Sequence, residues 1–95
     1  PVRGGELPNA FALAQNYPNP FNPSTTIEFA IPKNEFVTLK VYDLLGREVS
    51  TLVSENLNAG SYKVRFDGAL HASGVYFYKL STGSFNTTKK MIVTK

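Results

Sequence analysis

Apolar residues recur at every second position along much of this chain, the spacing that puts alternate side chains on one face of an extended strand. In STTIEFAIP, Ile27, Phe29 and Ile31 alternate with Thr26, Glu28 and Ala30, until Pro32, which cannot donate to a sheet ladder, ends the run. In FVTLKVYD, Val37, Leu39 and Val41 alternate with Thr38, Lys40 and Tyr42, and the DLLG that follows turns at Gly46. Arg47 to Val53 reads as a short further strand, and Ser54 to Gly60, rich in Asn, Glu and Gly, as the loop after it. The cleanest alternation lies at Ser61 to Asp67, with Tyr62, Val64 and Phe66 inward and Lys63, Arg65 and Asp67 outward. GVYFYKL, from Gly74, is apolar on both faces. The position of Lys79 turns Tyr76, Tyr78 and Leu80 to the core and Val75 and Phe77 outward, as in a central strand. Ser81 to Ser84 turns around Gly83, and Asn86 to Thr94 closes the chain with Met91 and Val93 on one parity.

With Ala12 to Asn16 as an opening edge strand, seven short strands follow one another at spacings of roughly 8–12 residues, which predicts an all-β sandwich. No segment carries a helical period. Residues Pro1 to Asn9 hold two Pro and two Gly with almost no large apolar side chain, a composition suited to a connection. Residues 1–10 are therefore read as a linker and 11–95 as one folded domain.

Composition narrows the function. A chain of 95 residues builds one core and leaves little room for a deep catalytic cleft. Its 42% apolar and 13% aromatic content is that of a folded module. The net charge of +3 arises from ten basic residues scattered among seven acidic ones, so it says little about partners. Cysteine is absent, which removes disulfides, thiolate metal sites and a thiol nucleophile. No apolar run is long enough for a membrane-spanning helix, so membrane insertion is not expected. The chain opens at Pro1 without an initiator Met, and the expectation is a piece of a longer polypeptide whose export signal lies elsewhere.

Candidate chemistry is sparse. The one histidine, His71, falls in an inter-strand stretch and is expected to be solvated there, which leaves a Ser-His-Asp assembly without its base. Asp43 and Asp67 each end a strand, where a carboxylate accepts backbone hydrogen bonds from a turn. No glycine-rich loop leads into a helix, and no Cys, His or acidic cluster offers metal ligands, so no cofactor is expected. Lys40, Tyr42, Lys63 and Arg65 point outward and read as a solvated sheet face in preference to a nucleic-acid or sugar surface. Asn86-Thr87-Thr88 matches a glycosylation acceptor, a pattern short enough to arise by chance.

The distinctive stretch is Leu13 to Ser24, LAQNYPNPFNPS. Pro18, Pro20 and Pro23 fix φ three times and push Tyr17, Asn19 and Asn22 towards extended backbone. The stretch thus reads as a stiff connection, which Tyr17 and Phe21 can pin onto the body of the sandwich.

Several blocks in order resemble one family: LAQNYPNPFNPSTTIEFAIP, VTLKVYDLLGREVSTLV, LNAGSYKVRFDG, SGVYFYKLSTG and KKMIVTK. They look like the blocks of the type IX (Por) secretion C-terminal sorting domain, type A, and are also similar to the immunoglobulin-like domain of flagellar hook-capping proteins. The resemblance implies a seven-stranded, immunoglobulin-like antiparallel β-sandwich without catalytic residues. It further implies a position behind the N-terminal cargo domains of the same precursor, passage through the periplasm, handling by outer-membrane secretion machinery, and release or display at the cell surface. By this likeness Pro18, Asn19 and Pro20 match the N-terminal motif and Gly46 the central glycine motif. Gly74, Tyr76, Lys89, Lys90 and Lys95 fall in the C-terminal motif, and cleavage is expected in the linker. The edge of the last strand, Lys89 to Lys95, and the Pro18 to Pro20 crossing are together expected to make the surface a receptor reads, as an exposed edge or as a terminal epitope. Two rival readings are a carbohydrate-binding module, which needs a planar row of exposed aromatics or a calcium site, and a structural immunoglobulin-like spacer.

Overall fold

The alternating positions become seven strands in the computed structural model, which describes residues 8–94. They are β1 (Ala12–Leu13), β2 (Ser24–Ile31), β3 (Glu35–Tyr42), β4 (Glu48–Leu57), β5 (Gly60–Asp67), β6 (Gly74–Ser81) and β7 (Asn86–Val93). One sheet has the order β1-β2-β5 and the other β4-β3-β6-β7, and every strand pair is antiparallel. The result is an immunoglobulin-like β-sandwich in which the chain crosses between layers after β2, β4 and β5. Of the linker, only residues 8–10 fall within the described part; residues 1–7 and Lys95 lie outside it.

The core forms where the inward parities of the two sheets meet. Ile27, Phe29 and Ile31 from β2 face Val37, Leu39 and Val41 from β3, with Tyr78, Leu80, Met91 and Val93 completing the layer. Of the large apolar side chains on β5 only Phe66 is fully buried, while Tyr62 and Val64 pack partly exposed against the core. An edge strand explains this, because β5 pairs with β2 alone. Tyr62 recovers contact sideways, stacking on Phe29 at 5.3 Å between ring centroids.

Two strands differ from the sequence reading. β4 runs to Leu57 and so takes in half of the expected loop, because Thr38, Val37, Phe36 and Glu35 of β3 pair in register with Ser54, Glu55, Asn56 and Leu57. Register shifts at Leu39/Lys40 and Val41/Tyr42 break the period of two along β4, and its edge position lets polar side chains sit in water. β1 is shorter than expected, and beyond it the chain is held by other groups. The Ala14 N–H still donates to the Glu28 carbonyl at 2.9 Å, but the Asn16 N–H donates to the Tyr78 hydroxyl at 2.8 Å.

The strand directions give the sandwich two unlike ends. At the upper end the chain arrives through Phe11, which stacks on Phe85 at 4.9 Å and 8° between planes. There Glu35 accepts the Gly83 N–H at 3.0 Å and the Ser84 hydroxyl at 2.8 Å, fixing the β6–β7 turn. The lower end collects the proline stretch, the β3–β4 and β5–β6 loops and the end of β7.

Candidate recognition surface

At the lower end the proline stretch crosses from one sheet to the other. Tyr17 bridges antiparallel to Thr26 of the three-stranded sheet, and four residues later Phe21 bridges parallel to Val93 of the four-stranded sheet. The Tyr17–Pro18, Asn19–Pro20 and Asn22–Pro23 peptide bonds are all cis. Phe21 pins the crossing as expected: it is 1% exposed and meets Phe66 edge-to-face at 6.0 Å. Tyr17 does not, being 81% exposed. Its backbone is engaged in both directions with Thr26, at 2.9 and 3.0 Å, and this aims the ring into solvent.

A buried polar cluster anchors the start of the crossing. The Asn16 side-chain amide donates to the Thr25 hydroxyl at 3.0 Å and to the Pro18 carbonyl at 3.2 Å, and the Thr25 hydroxyl donates to the same carbonyl at 2.8 Å. The Tyr78 hydroxyl donates to the Ala14 carbonyl at 2.7 Å while accepting from the Asn16 N–H. Burial pushes the Tyr78 pKa up, with the Asn16 N–H opposing, so the hydroxyl stays protonated and able to donate. Sequence reasoning missed Asn16 and Thr25. Thr25 shares the inward parity of Ile27 and could have been found, whereas Asn16 carries no such signal.

The crossing then seals the outer edge of β7. Gln15 donates to the Lys90 carbonyl at 2.7 Å, Asn19 Oδ1 accepts the Ile92 N–H at 3.0 Å, and the Phe21 N–H donates to the Ile92 carbonyl at 3.0 Å. The Thr94 N–H closes the series on the Phe21 carbonyl at 2.9 Å. The expected open edge is therefore corrected: from Lys90 to Thr94 it is already paired, because the prolines leave Asn19 and Phe21 free to present polar groups to it. Pro18, Asn19 and Pro20 and the end of β7 form one continuous surface, which joins the first and last of the singled-out motifs. Lys95 lies outside the described residues.

Gly46 lies in the β3–β4 turn and Gly74 opens β6, both at the lower end. Asp43 caps the β3–β4 turn, accepting the Leu45 and Arg47 N–H groups at 2.9 Å and the Arg47 Nε at 2.9 Å. Gly46 has φ +85, a left-handed conformation that side chains resist. A Cβ there would touch nothing, so Gly46→Ala is expected to cost about 1–2 kcal/mol from backbone strain alone, read as a lower denaturation midpoint without loss of fold. Asp43, Leu44, Leu45 and Arg47, with Ser73 of the β5–β6 loop and Gly74, Val75 and Tyr76 of β6, line a shallow groove of ≈ 300 Å³. The Arg47 backbone N–H, chiefly, and its guanidinium hold the Asp43 carboxyl below the usual carboxylate range. A depressed carboxylate stabilises the turn above its unfolded pKa, and the effect is lost as pH falls through the folded one. The Leu45 and Arg47 amide resonances are thus expected to hold steady at neutral pH and to move only below about pH 4.

Tyr76 is buried, and its hydroxyl donates to the Ala72 carbonyl at 2.7 Å, so it shapes the β5–β6 loop from within. His71 corrects the expectation of a solvated residue. It is half-buried, stacked on Phe66 at 5.3 Å and edge-on to Tyr76 at 5.9 Å. Gly68 lets this loop close in, since a Cβ there would stand 3.0 Å from the Phe21 ring and 3.2 Å from the Pro23 carbonyl oxygen. Of the five large apolar side chains exposed among the described residues, Tyr17, Leu44, Leu45 and Leu70 lie towards the lower end and Phe36 towards the upper. The two exposed aromatics, Tyr17 and Phe36, thus form no planar row. Lys89 and Lys90 precede Met91 on β7, paired with Tyr78 and Phe77. The outward residues read as one face are split: Lys40 and Tyr42 belong to the four-stranded sheet, Lys63 and Arg65 to the three-stranded one.

Fold and surface define an immunoglobulin-like module whose marked segments converge at one end. A family model described as a secretion system C-terminal sorting domain, the Por secretion tail, matches residues 15–94, and the chain belongs to that family. It is a type IX secretion C-terminal sorting domain: a non-catalytic export signal for an attached cargo, working with the secretion machinery. No curated protein matches the chain.

Proposed function

We propose that the outer-membrane secretion machinery reads the lower end of the sandwich, while the N-terminal cargo domains of the same precursor hang from the upper end. The carrying observation is that Tyr17, Leu44, Leu45 and Leu70, four of the five large apolar side chains exposed among the described residues, lie at the end of the sandwich that holds the proline crossing and the end of β7. Exposed apolar groups gathered at one end of a module are the composition of a docking surface. Pro18, Asn19 and Pro20 give that patch a rigid shape, and Gly46 and Gly74 let its loops turn. Lys89 and Lys90 supply charge at its margin, Lys95 extends the basic end of the sequence, and Tyr76 holds the loop behind the patch. The arrangement keeps cargo and receptor at opposite ends of a body 39 Å long, so a bulky cargo does not mask the signal. The domain accompanies its cargo through the periplasm to secretion or surface display, and residues 1–10 serve as the linker between them.

A reporter fused ahead of the full chain, in a host with type IX machinery, tests this reading. Leu44→Glu/Leu45→Glu should lower surface export about tenfold, as loss of about 1.4 kcal/mol of docking energy would, and Phe36→Glu at the other end should leave it intact. Equal export from both variants would refute the assignment of the lower end.

A further inference from the structure

The outer face of the four-stranded sheet carries a charge pattern of which the sorting reading uses only Lys90. Lys40 on β3 stands directly opposite Lys79 on β6. On the other side of Lys79, Thr88 of β7 is its direct partner and Lys90 lies two residues further along the same face. Three ammonium groups thus cross three adjacent strands in a row, and like charges placed opposite one another in a sheet are destabilising. Lysines commonly blunt exposed sheet edges, but β3 and β6 are the two interior strands of this sheet, so that explanation fails for Lys40 and Lys79. Lys40 is relieved by Glu48 at 3.3 Å, whereas Lys79 and Lys90 have no ion-pair partner among the described residues.

Beside the row lies an apolar floor. Tyr42 and Phe77 are direct cross-strand partners, and Val75 and Ile92 are another such pair on the same face; all four are half-buried. The opposite sheet is unlike this, since its outward Lys63 stands opposite Glu28 and Arg65 and Asp67 share one strand. Positive charge at Lys79 and Lys90 is therefore left on this face without an ion-pair partner among the described residues.

We infer that this face docks an acidic protein segment, with carboxylates set over Lys79 and Lys90 and an apolar side chain on the Tyr42–Phe77 floor. A second copy of this chain is disfavoured, because it would set lysines against lysines. Tyr42 and Phe77 are half-buried, which suits them to a side chain more than to stacked bases. Charge complementarity of this kind sets the rate and specificity of encounter more than raw affinity. The inference concerns a sheet face and stands whether or not the lower end is what the machinery reads.

Titrating the labelled full chain with a soluble glutamate-rich peptide containing tyrosine, at low salt, tests it by amide resonances. The shifts should centre on Lys40, Phe77, Lys79 and Lys90. Lys79→Gln/Lys90→Gln should weaken binding about fivefold, and Lys63→Gln/Arg65→Gln, which removes the same charge from the other sheet, should not. Absence of binding, equal weakening by both pairs, or shifts centred on Lys63 and Arg65 would overturn the inference. So would tighter binding at the same amides by single-stranded DNA or by phosphatidylcholine–phosphatidylglycerol vesicles.

Discussion

Phe66→Ala should destabilise the sandwich by about 3–5 kcal/mol, the cost of an emptied aromatic site in a core that relaxes only partly. Phe66 is 2% exposed and stands between two elements that do not touch it by chance: Phe21 from the proline crossing and His71 from the β5–β6 loop. Its loss removes the ring against which both pack, so the damage reaches the lower end as well as the core. Domains of this size are stable by about 5–15 kcal/mol, and the variant therefore gives up a large share of that. A thermal melt should fall by more than about 12 °C. A melt within a degree or two of the wild type would refute the role given to this ring.

The second large effect is expected from Tyr78→Phe, which keeps the ring and deletes one oxygen. Tyr78 is 0% exposed, and its hydroxyl satisfies the Ala14 carbonyl and the Asn16 N–H together. Phenylalanine leaves a donor and an acceptor without their partner, at a cost of about 2–4 kcal/mol for the two. The amide of Asn16 should exchange with solvent faster than in the wild type, while amides at the upper end, such as that of Ala59, change only with global stability. Unchanged exchange at Asn16 would show that the crossing is held by something other than this hydroxyl.

Legibility in the sequence followed exposure. β2, β3, β6 and β7 have one wet and one dry face or lie in the sheet interior, so their parity could be read directly, down to the inward Tyr76, Tyr78 and Leu80. β4 hid its last four residues because an edge strand can be polar throughout and because two register shifts erase the alternation. Tyr17 and Phe21 look alike beside their prolines, and only the backbone bridges decide that one faces water and the other the core. The polar cluster of Asn16, Thr25 and Tyr78 joins residues 62 apart in sequence, a separation at which no local pattern operates. His71 illustrates the same limit, since its stacking partner, Phe66, lies on the preceding strand across a loop whose path the sequence leaves open.

The expectation that the last strand offers a bare edge failed for a related reason. The proline stretch reads as a stiff connection, but stiffness does not say what the connection lies against. Gln15, Asn19 and Phe21 turn it into an extra partner for β7, so this edge does not offer an unpaired ladder.

The central claim is that these 95 residues form a self-sufficient address for export. The direct measurement is the location of a periplasmic reporter carrying them at its C-terminus, compared between a host with type IX machinery and the same host lacking it. The tailed reporter should reach the surface or medium only when the machinery is present, and the untailed reporter should stay in the periplasm in both. A tailed reporter that is folded yet retained in the periplasm of the competent host would contradict the account.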